Sequence, residues 1–291
     1  MSGAVEGAVS GGAGPAGETS DPAAHAPSTQ DPMRSMPLDS PLYELDPLRG
    51  VEYWGCRALI ALFSIACDIS EILPEGVRAA GEQPLGMVLV AEYGASTLGR
   101  YSELTSFVQV RTPEGTLAMY VPYIYVTNDA ALAAGREVIG APKKLAAIEL
   151  ADGCDAVQGT LERPAGKRLV TLTVKPSRRL EPELLAGAMP PGTPCLSLRH
   201  LPAPPGGTLV HELVQWSSEL SLHSDAKGDQ CAFAGAGSLT YDSPSAIDPV
   251  HRLAVGSMIA TAYIEFDMRL SAGRVIRSES RLPQVAVPSA S

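Results

Sequence analysis

From Leu85 onward the chain is a succession of short β-type runs separated by turn-forming residues. The runs are Leu85–Tyr93, Thr105–Arg111, Leu117–Val126, Ala156–Glu162, Leu169–Lys175, Thr208–Trp216 and Ala260–Leu270. Only one stretch between them reads clearly as helix. Asn128 is placed to cap it, Asp129 complements the positive end of the dipole, an alanine-rich run follows to Ile139, and Gly140 then Pro142 stop it. Helices that do not alternate with strands rule out a doubly wound parallel sheet, so an α+β, mainly β fold is expected. An earlier stretch, Ala58 to Leu73, mixes small and apolar residues at near-helical spacing before Pro74 and predicts one further, buried helix.

Residues 1–38 are rich in Gly, Ala, Pro and Ser, with too little apolar bulk to offset the entropy of ordering. They are expected to be a disordered tail, with one domain over 39–278 and a flexible tail over 279–291. The 291 residues carry a net charge of -10, so the surface repels phosphate backbones and no nucleic-acid partner is expected. The most apolar stretch is about half the roughly 20 residues needed to span a bilayer, so no membrane association is expected. No Lys or Arg precedes Arg34 and no apolar run lies there, which speaks against a secretory or organelle leader, and the cytoplasm is expected. Cys56, Cys67, Cys154, Cys195 and Cys231 form no close pairs and read as reduced, mostly buried thiols.

Familiar catalytic motifs fail one after another. His211-Glu212 begins a zinc-protease pattern, but Gln215 stands where the second histidine is required, and no metal site is predicted. Gly235-Ala236-Gly237 lacks the third glycine of a dinucleotide turn, and no Gly-x-Ser-x-Gly elbow is present. What remains is Pro142-Lys143-Lys144-Leu145-Ala146, directly after the capped helix and flanked by apolar residues. The chain has only five lysines, which makes an adjacent pair in such a setting unusual, although a solvated dilysine remains the plain alternative.

The run from Tyr123 to Ala146, with its Gly135-Arg136-Glu137 helix end and Pro142-Lys143-Lys144, resembles the signature of the acetoacetate decarboxylase family. Weaker similarity extends from about Pro47 to Val275, including Leu98-Gly-Arg-Tyr-Ser-Glu103. The resemblance implies a mainly β, closed or cone-shaped barrel with flanking helices, an interior pocket and assembly into homo-oligomers. It also implies that Lys143 forms a Schiff base with the substrate ketone, that Lys144 is the second lysine beside it, and that Glu103 is an active-site acid. No cofactor is expected, because the protonated imine is itself the electron sink for decarboxylation.

That chemistry needs a neutral amine, whereas a free lysine with pKa about 10.4 is neutral in about one molecule in several thousand at pH 7. Family lysines are activated by a neighbouring cation or an apolar pocket. Consecutive side chains on an extended segment project to opposite faces, which keeps Lys144 away from Lys143. The helix C-terminus favours a cation and works in the wrong direction. Desolvation is the large term, so Lys143 is expected in an apolar pocket with Lys144 pointing elsewhere.

The departures from the family pattern concern substrate binding. Val51 stands before Glu52-Tyr53 where the family has arginine, with Arg49 two residues earlier as a candidate replacement, and Val88 aligns with a second family glutamate. A pocket built on Val51 and Val88 offers a small carboxylate fewer partners. The expected substrate is therefore a β-keto acid, acetoacetate or a longer and more apolar ketide-type acid of secondary metabolism. The alternatives are a Schiff-base aldolase or dehydratase acting on a keto acid, and a noncatalytic ligand-binding member of the fold. Tyr123, Tyr125, Trp54 and Trp216 are expected in the core rather than against substrate.

Overall fold

The computed structural model describes residues 31–181, 190, 192–204 and 206–279. Most of the expected N-terminal tail and nearly all of the C-terminal one lie outside these residues. Seven strands precede the helix: β1 (Met33–Arg34), β2 (Glu44–Leu45), β3 (Val51–Ile65), β4 (Arg78–Ala79), β5 (Leu85–Ser96), β6 (Tyr101–Arg111) and β7 (Leu117–Val126). The helix α1 (Asp129–Ala134) runs on into one wide π turn over Gly135–Ile139. Then come β8 (Lys143–Leu145), β9 (Ala147–Asp152), β10 (Val157–Glu162), β11 (Arg168–Arg179) and β12 (Cys195–Pro202). The last are β13 (Thr208–Trp216), β14 (Ser218–Leu222), β15 (Ala232–Tyr241), β16 (Val255–Leu270) and β17 (Arg274–Ser278).

All of these but β1 and β2 join one sheet, whose main path is β17-β13-β12-β7-β6-β5-β3-β16-β15-β11-β10-β9. The short strand β8 pairs in parallel with β7, and β14 pairs with β16. The mainly β class is as expected, but the ladder does not close into a barrel. It ends at β17 and β9, and the sheet instead curls so that β9, β10 and β11 pack over β3, β5 and β6. Gly159 on β10 permits this approach, since a Cβ there would sit 2.8 Å from Val90 on β5. Arg57 on β3 then fastens β9 by bonds to Asp152 (2.6 Å) and to the Leu150 carbonyl (3.2 Å).

Curling gives the central strands two buried faces and the molecule two cores. On β3, Ala58, Ile60 and Leu62 enter one core, while Leu59, Ala61, Phe63 and Ile65 enter the other. This corrects the helix expected over Ala58 to Leu73: Ala58 to Ile65 lie in a strand, followed by a short 3-10 turn at Ser70–Ile72. A strand buried on both faces is apolar throughout and loses the alternation that distinguishes it from a buried helix. Phe63 is fully buried, and Phe63→Ala is expected to cost about 3–5 kcal/mol, read as a lowered denaturation midpoint. A loss below about 1 kcal/mol would mean that the second core does not hold the sheet together.

The N-terminal boundary also moves. Order begins ahead of residue 39, because β1 pairs with β2 and Met33 packs on a core containing buried Tyr43 and Leu45. Ser35 stabilises this small ribbon by accepting from the amides of Leu42 (2.5 Å) and Tyr43 (3.3 Å). The helix start is as expected: Asn128 Oδ1 accepts from the Ala131 amide at 2.7 Å, and its Nδ2 donates to the Leu98 carbonyl at 3.0 Å. At the other end Gly140 adopts φ 71°, a left-handed conformation that glycine takes without strain.

Candidate active site

Four strands and the π turn converge on Lys143. As the first residue of β8 it is paired with Ile124, and it turns toward the first core with only 5% of its surface exposed. Its Nζ donates to Glu103 Oε2 at 2.9 Å and lies 5.5 Å from the centre of the Tyr101 ring. Glu103 is itself buried and well supported, because its other oxygen accepts from Tyr93 Oη (3.1 Å) and Thr105 Oγ1 (2.8 Å). The period of β6 explains the grouping: Tyr101, Glu103, Thr105 and Phe107 share one face, while Leu104 and Val108 point into the second core.

Tyr93 lies opposite Tyr101 in the ladder, and Tyr53 reaches over from β3. The three rings pack with centroids 4.6 Å apart for Tyr53 and Tyr93, and 4.8 Å for Tyr93 and Tyr101. The Tyr53 and Tyr101 hydroxyls are 3.1 Å apart. Burial first, and then the Glu103 charge, push the Tyr53 and Tyr93 phenols up from their ordinary range. Tyr101 is raised by burial, then by Tyr53 and Glu103, so all three remain protonated donors at neutral pH.

Beside Lys143 lies a cavity of about 100 Å³, against roughly 10–15 Å³ for one water. Its walls are mostly apolar, including Met87, Leu89, Phe107, Trp216, Phe266 and Met268. A second cavity of about 20 Å³, containing Val51, Tyr53 and Gly135 in its wall, touches Lys143 as well. Gly135 is required by this arrangement, because a Cβ there would lie 2.4 Å from Lys143 Cδ and 2.6 Å from Cε. The expectation of an apolar setting therefore describes the walls around Lys143 but not its nitrogen, which faces a carboxylate.

Lys144 leaves this cavity. Its ammonium donates to the Ile247 carbonyl and to Asp248 Oδ1 at 2.9 Å, and Arg163 Nε shares the same Asp248 oxygen at 3.0 Å. Arg49, a candidate for substrate binding, also lies apart. The turn from Asp46 to Gly50 directs it outward, with its side chain 70% exposed and 3.6 Å from Asp46. Val51 is buried and borders the smaller cavity. Val88 is corrected more sharply: Met87 and Leu89 line the larger cavity, so the alternation of β5 sends Val88 into the second core at 0% exposure. Trp54 is 46% exposed rather than in the core, and Trp216 is buried but lines the cavity, while Tyr125 is a core residue.

Tyr53, Tyr93, Tyr101, Thr105 and Gly135 were not singled out from the sequence. The two-residue spacing Tyr101, Glu103, Thr105 is a readable signal for two of them, since it places Tyr101 and Thr105 on the face that carries Glu103. Cys195 also lines the cavity, but burial pushes its thiol up to about 12, and Cys56 is raised to about 11 mainly by burial. The five cysteines are free, and fewer are buried than expected: Cys56 and Cys195 are, Cys154 is exposed. Iodoacetamide at pH 8 is therefore expected to alkylate Cys154 first and spare Cys195, as read by peptide mass spectrometry. Early modification of Cys195 would show the cavity to be far more open than described.

Among the described residues there is no cluster of three or more His, Cys, Asp or Glu suited to a metal, and no helix long and apolar enough to cross a membrane. The family described as acetoacetate decarboxylase (ADC) matches residues 35–280. The chain is 29% identical over 244 residues to an acetoacetate decarboxylase of Burkholderia multivorans, covering 83% of this chain and 93% of that protein. It is 29% identical over 254 residues to acetoacetate decarboxylase 2 of Mesorhizobium japonicum, covering 85% and 91%. Among solved structures, the acetoacetate decarboxylase of Legionella pneumophila superposes with TM-score 0.70 at 23% identity, over 84% of this chain and 94% of that one. The enduracididine biosynthesis enzyme MppR has the same fold, with TM-score 0.66 at 16% identity over 87% and 97%. With a family match across most of its length and a mainly β architecture shared with these structures, the chain belongs to the acetoacetate decarboxylase family.

Proposed function

We propose that the protein is a Schiff-base-forming decarboxylase of a β-keto acid longer and more apolar than acetoacetate. The observation that carries this reading is the Lys143 amine, buried beside an apolar cavity with the Glu103 carboxylate 2.9 Å away. Glu103 Oε1 is occupied by two donors, which leaves Oε2 to accept a proton from Lys143. That transfer gives a neutral amine and a neutral acid without moving heavy atoms.

The amine then attacks the ketone carbon, and the carbonyl oxygen leaves as water with protons from Lys143 and Glu103. In the protonated imine, the bond to the carboxylate breaks and its electron pair moves through the α-carbon to the nitrogen, releasing CO2 and leaving an enamine. Protonation of the α-carbon regenerates the imine, and water releases the ketone. Decarboxylation consumes one proton overall, and Glu103, left as a carboxylate by the dehydration step, takes it up from solvent and passes it to that carbon. Lys144, tied to Asp248, remains outside the reacting set.

Borohydride trapping tests this reading. Incubation with 3-oxohexanoate is expected to add the mass of a reduced imine to Lys143, with CO2 released faster than from acetoacetate. An adduct on another lysine overturns the site. An adduct on Lys143 without CO2 favours aldol or dehydration chemistry, for which the absence of an arginine among the cavity residues leaves room. No adduct with any ketone would return the protein to the noncatalytic reading.

A further inference from the structure

We infer that the Tyr53 hydroxyl holds the carboxylate of the bound substrate, no arginine lining the cavity among the described residues. This rests on the Schiff-base reading of Lys143 and follows from counting hydrogens. The polar side chains facing the larger cavity are Tyr53, Tyr93, Glu103, Thr105, Lys143 and Ser218, together with the Cys195 thiol and the Trp216 indole. Tyr93, Thr105 and Lys143 each have a bond to Glu103. Trp216 Nε1 donates to Ser197 Oγ at 2.9 Å, Cys195 is a weak donor, and Ser218 is exposed, so its hydroxyl is satisfied by solvent at the rim.

The Tyr53 and Tyr101 hydroxyls make one bond between them but own two hydrogens, so one hydrogen is left over. If Tyr53 donated, the spare hydrogen would belong to Tyr101. That residue is 3% exposed and does not border the cavity, so its hydrogen would be stranded in the interior at a real cost. If Tyr101 donates, the spare hydrogen belongs to Tyr53, which borders both cavities beside Lys143. The second arrangement leaves nothing stranded once an oxygen enters the cavity. Tyr53 then presents a neutral donor close to the nitrogen that captures the ketone, where the carboxylate one carbon away has to lie. A neutral phenol orients that carboxylate without protonating it, so its electron pair remains free to pass through the α-carbon to the imine nitrogen as neutral CO2 departs.

The test uses 3-oxohexanoate, its decarboxylation product 2-pentanone, and hexanoate, which has the acid without the ketone. In Tyr53→Phe the ring contacts remain and only the donor is lost. Affinity for hexanoate by calorimetry and borohydride capture of 3-oxohexanoate are expected to fall by about 10- to 100-fold, the range for a hydrogen bond to a charged group. Capture of 2-pentanone is expected to stay within about twofold, and Tyr101→Phe, which spares the Tyr53 hydrogen, to retain hexanoate binding. An equal loss for the acid and the neutral ketone, or no loss for either, overturns the assignment. If wild-type protein binds hexanoate through Tyr53 but captures no carbonyl compound, the Schiff-base reading fails and the carboxylate site stands.

Discussion

Lys143→Met is expected to abolish borohydride capture and to lower β-keto acid decarboxylation by on the order of 10⁴-fold or more, because the covalent electron sink is gone. It should also lose stability. Lys143 and Glu103 are a buried pair, with side chains 5% and 9% exposed, and removing one partner strands the other charge at a typical cost of about 3–5 kcal/mol. The Tyr93 and Thr105 bonds to Glu103 reduce that cost without cancelling the charge. Adding Glu103→Gln should therefore recover much of the lost stability while activity stays absent, a combination readable by denaturant titration beside a CO2 assay. Substantial turnover in Lys143→Met would remove Lys143 from the mechanism. Failure of the double variant to regain stability would mean that the pair is not the electrostatic unit described.

Gly135→Ala is expected to cost activity and stability together. Alanine suits a helical position better than glycine by up to about 1 kcal/mol, which offsets only part of the cost of crowding and of pulling the Lys143–Glu103 pair apart, so the melting temperature should fall. The added methyl would occupy the space of Lys143 Cδ and Cε. Those methylenes can move only by carrying the amine away from Glu103, and a displacement near 1 Å at a reacting group costs on the order of 10²-fold in rate. Slowed imine capture with a lowered melting temperature is the expected pair of readings. Wild-type capture would show that the π turn relaxes around the methyl and that Gly135 has no part in placing the amine.

Much of this fold was legible because many strands are short runs of β-forming residues bounded by turn residues. Thr208–Trp216 and Leu117–Val126 have the bounds that such runs predict. Legibility failed where both faces are covered, as in β3, and where small residues hide the pattern, as in β15. There Gly235 and Gly237, which match no nucleotide-binding turn, are strand residues that let a neighbouring backbone come close: a Cβ on Gly235 would overlap the Lys175 carbonyl oxygen.

The site divides in the same way. Lys143 and Glu103 stood out through local motifs. Arg49 and Val88 were plausible by position along the chain, but whether a residue faces a cavity depends on strand parity and turn direction, which alignment to a family does not reveal. The tyrosine cluster draws on β3, β5 and β6, and its geometry belongs to the sheet register rather than to any local stretch of sequence.

One property of the three-residue strand β8 bears on how such a site can change. Its two amines hang on opposite sides of a single backbone, so their identities are assigned by odd and even counting from Gly140. Deleting one residue from that link would bring Lys144 to the place Lys143 now holds and turn Lys143 to the other face. Lys144 thus lies one step out of phase with the cavity, and its bond to the Asp248 carboxylate fixes which of the two lysines faces inward.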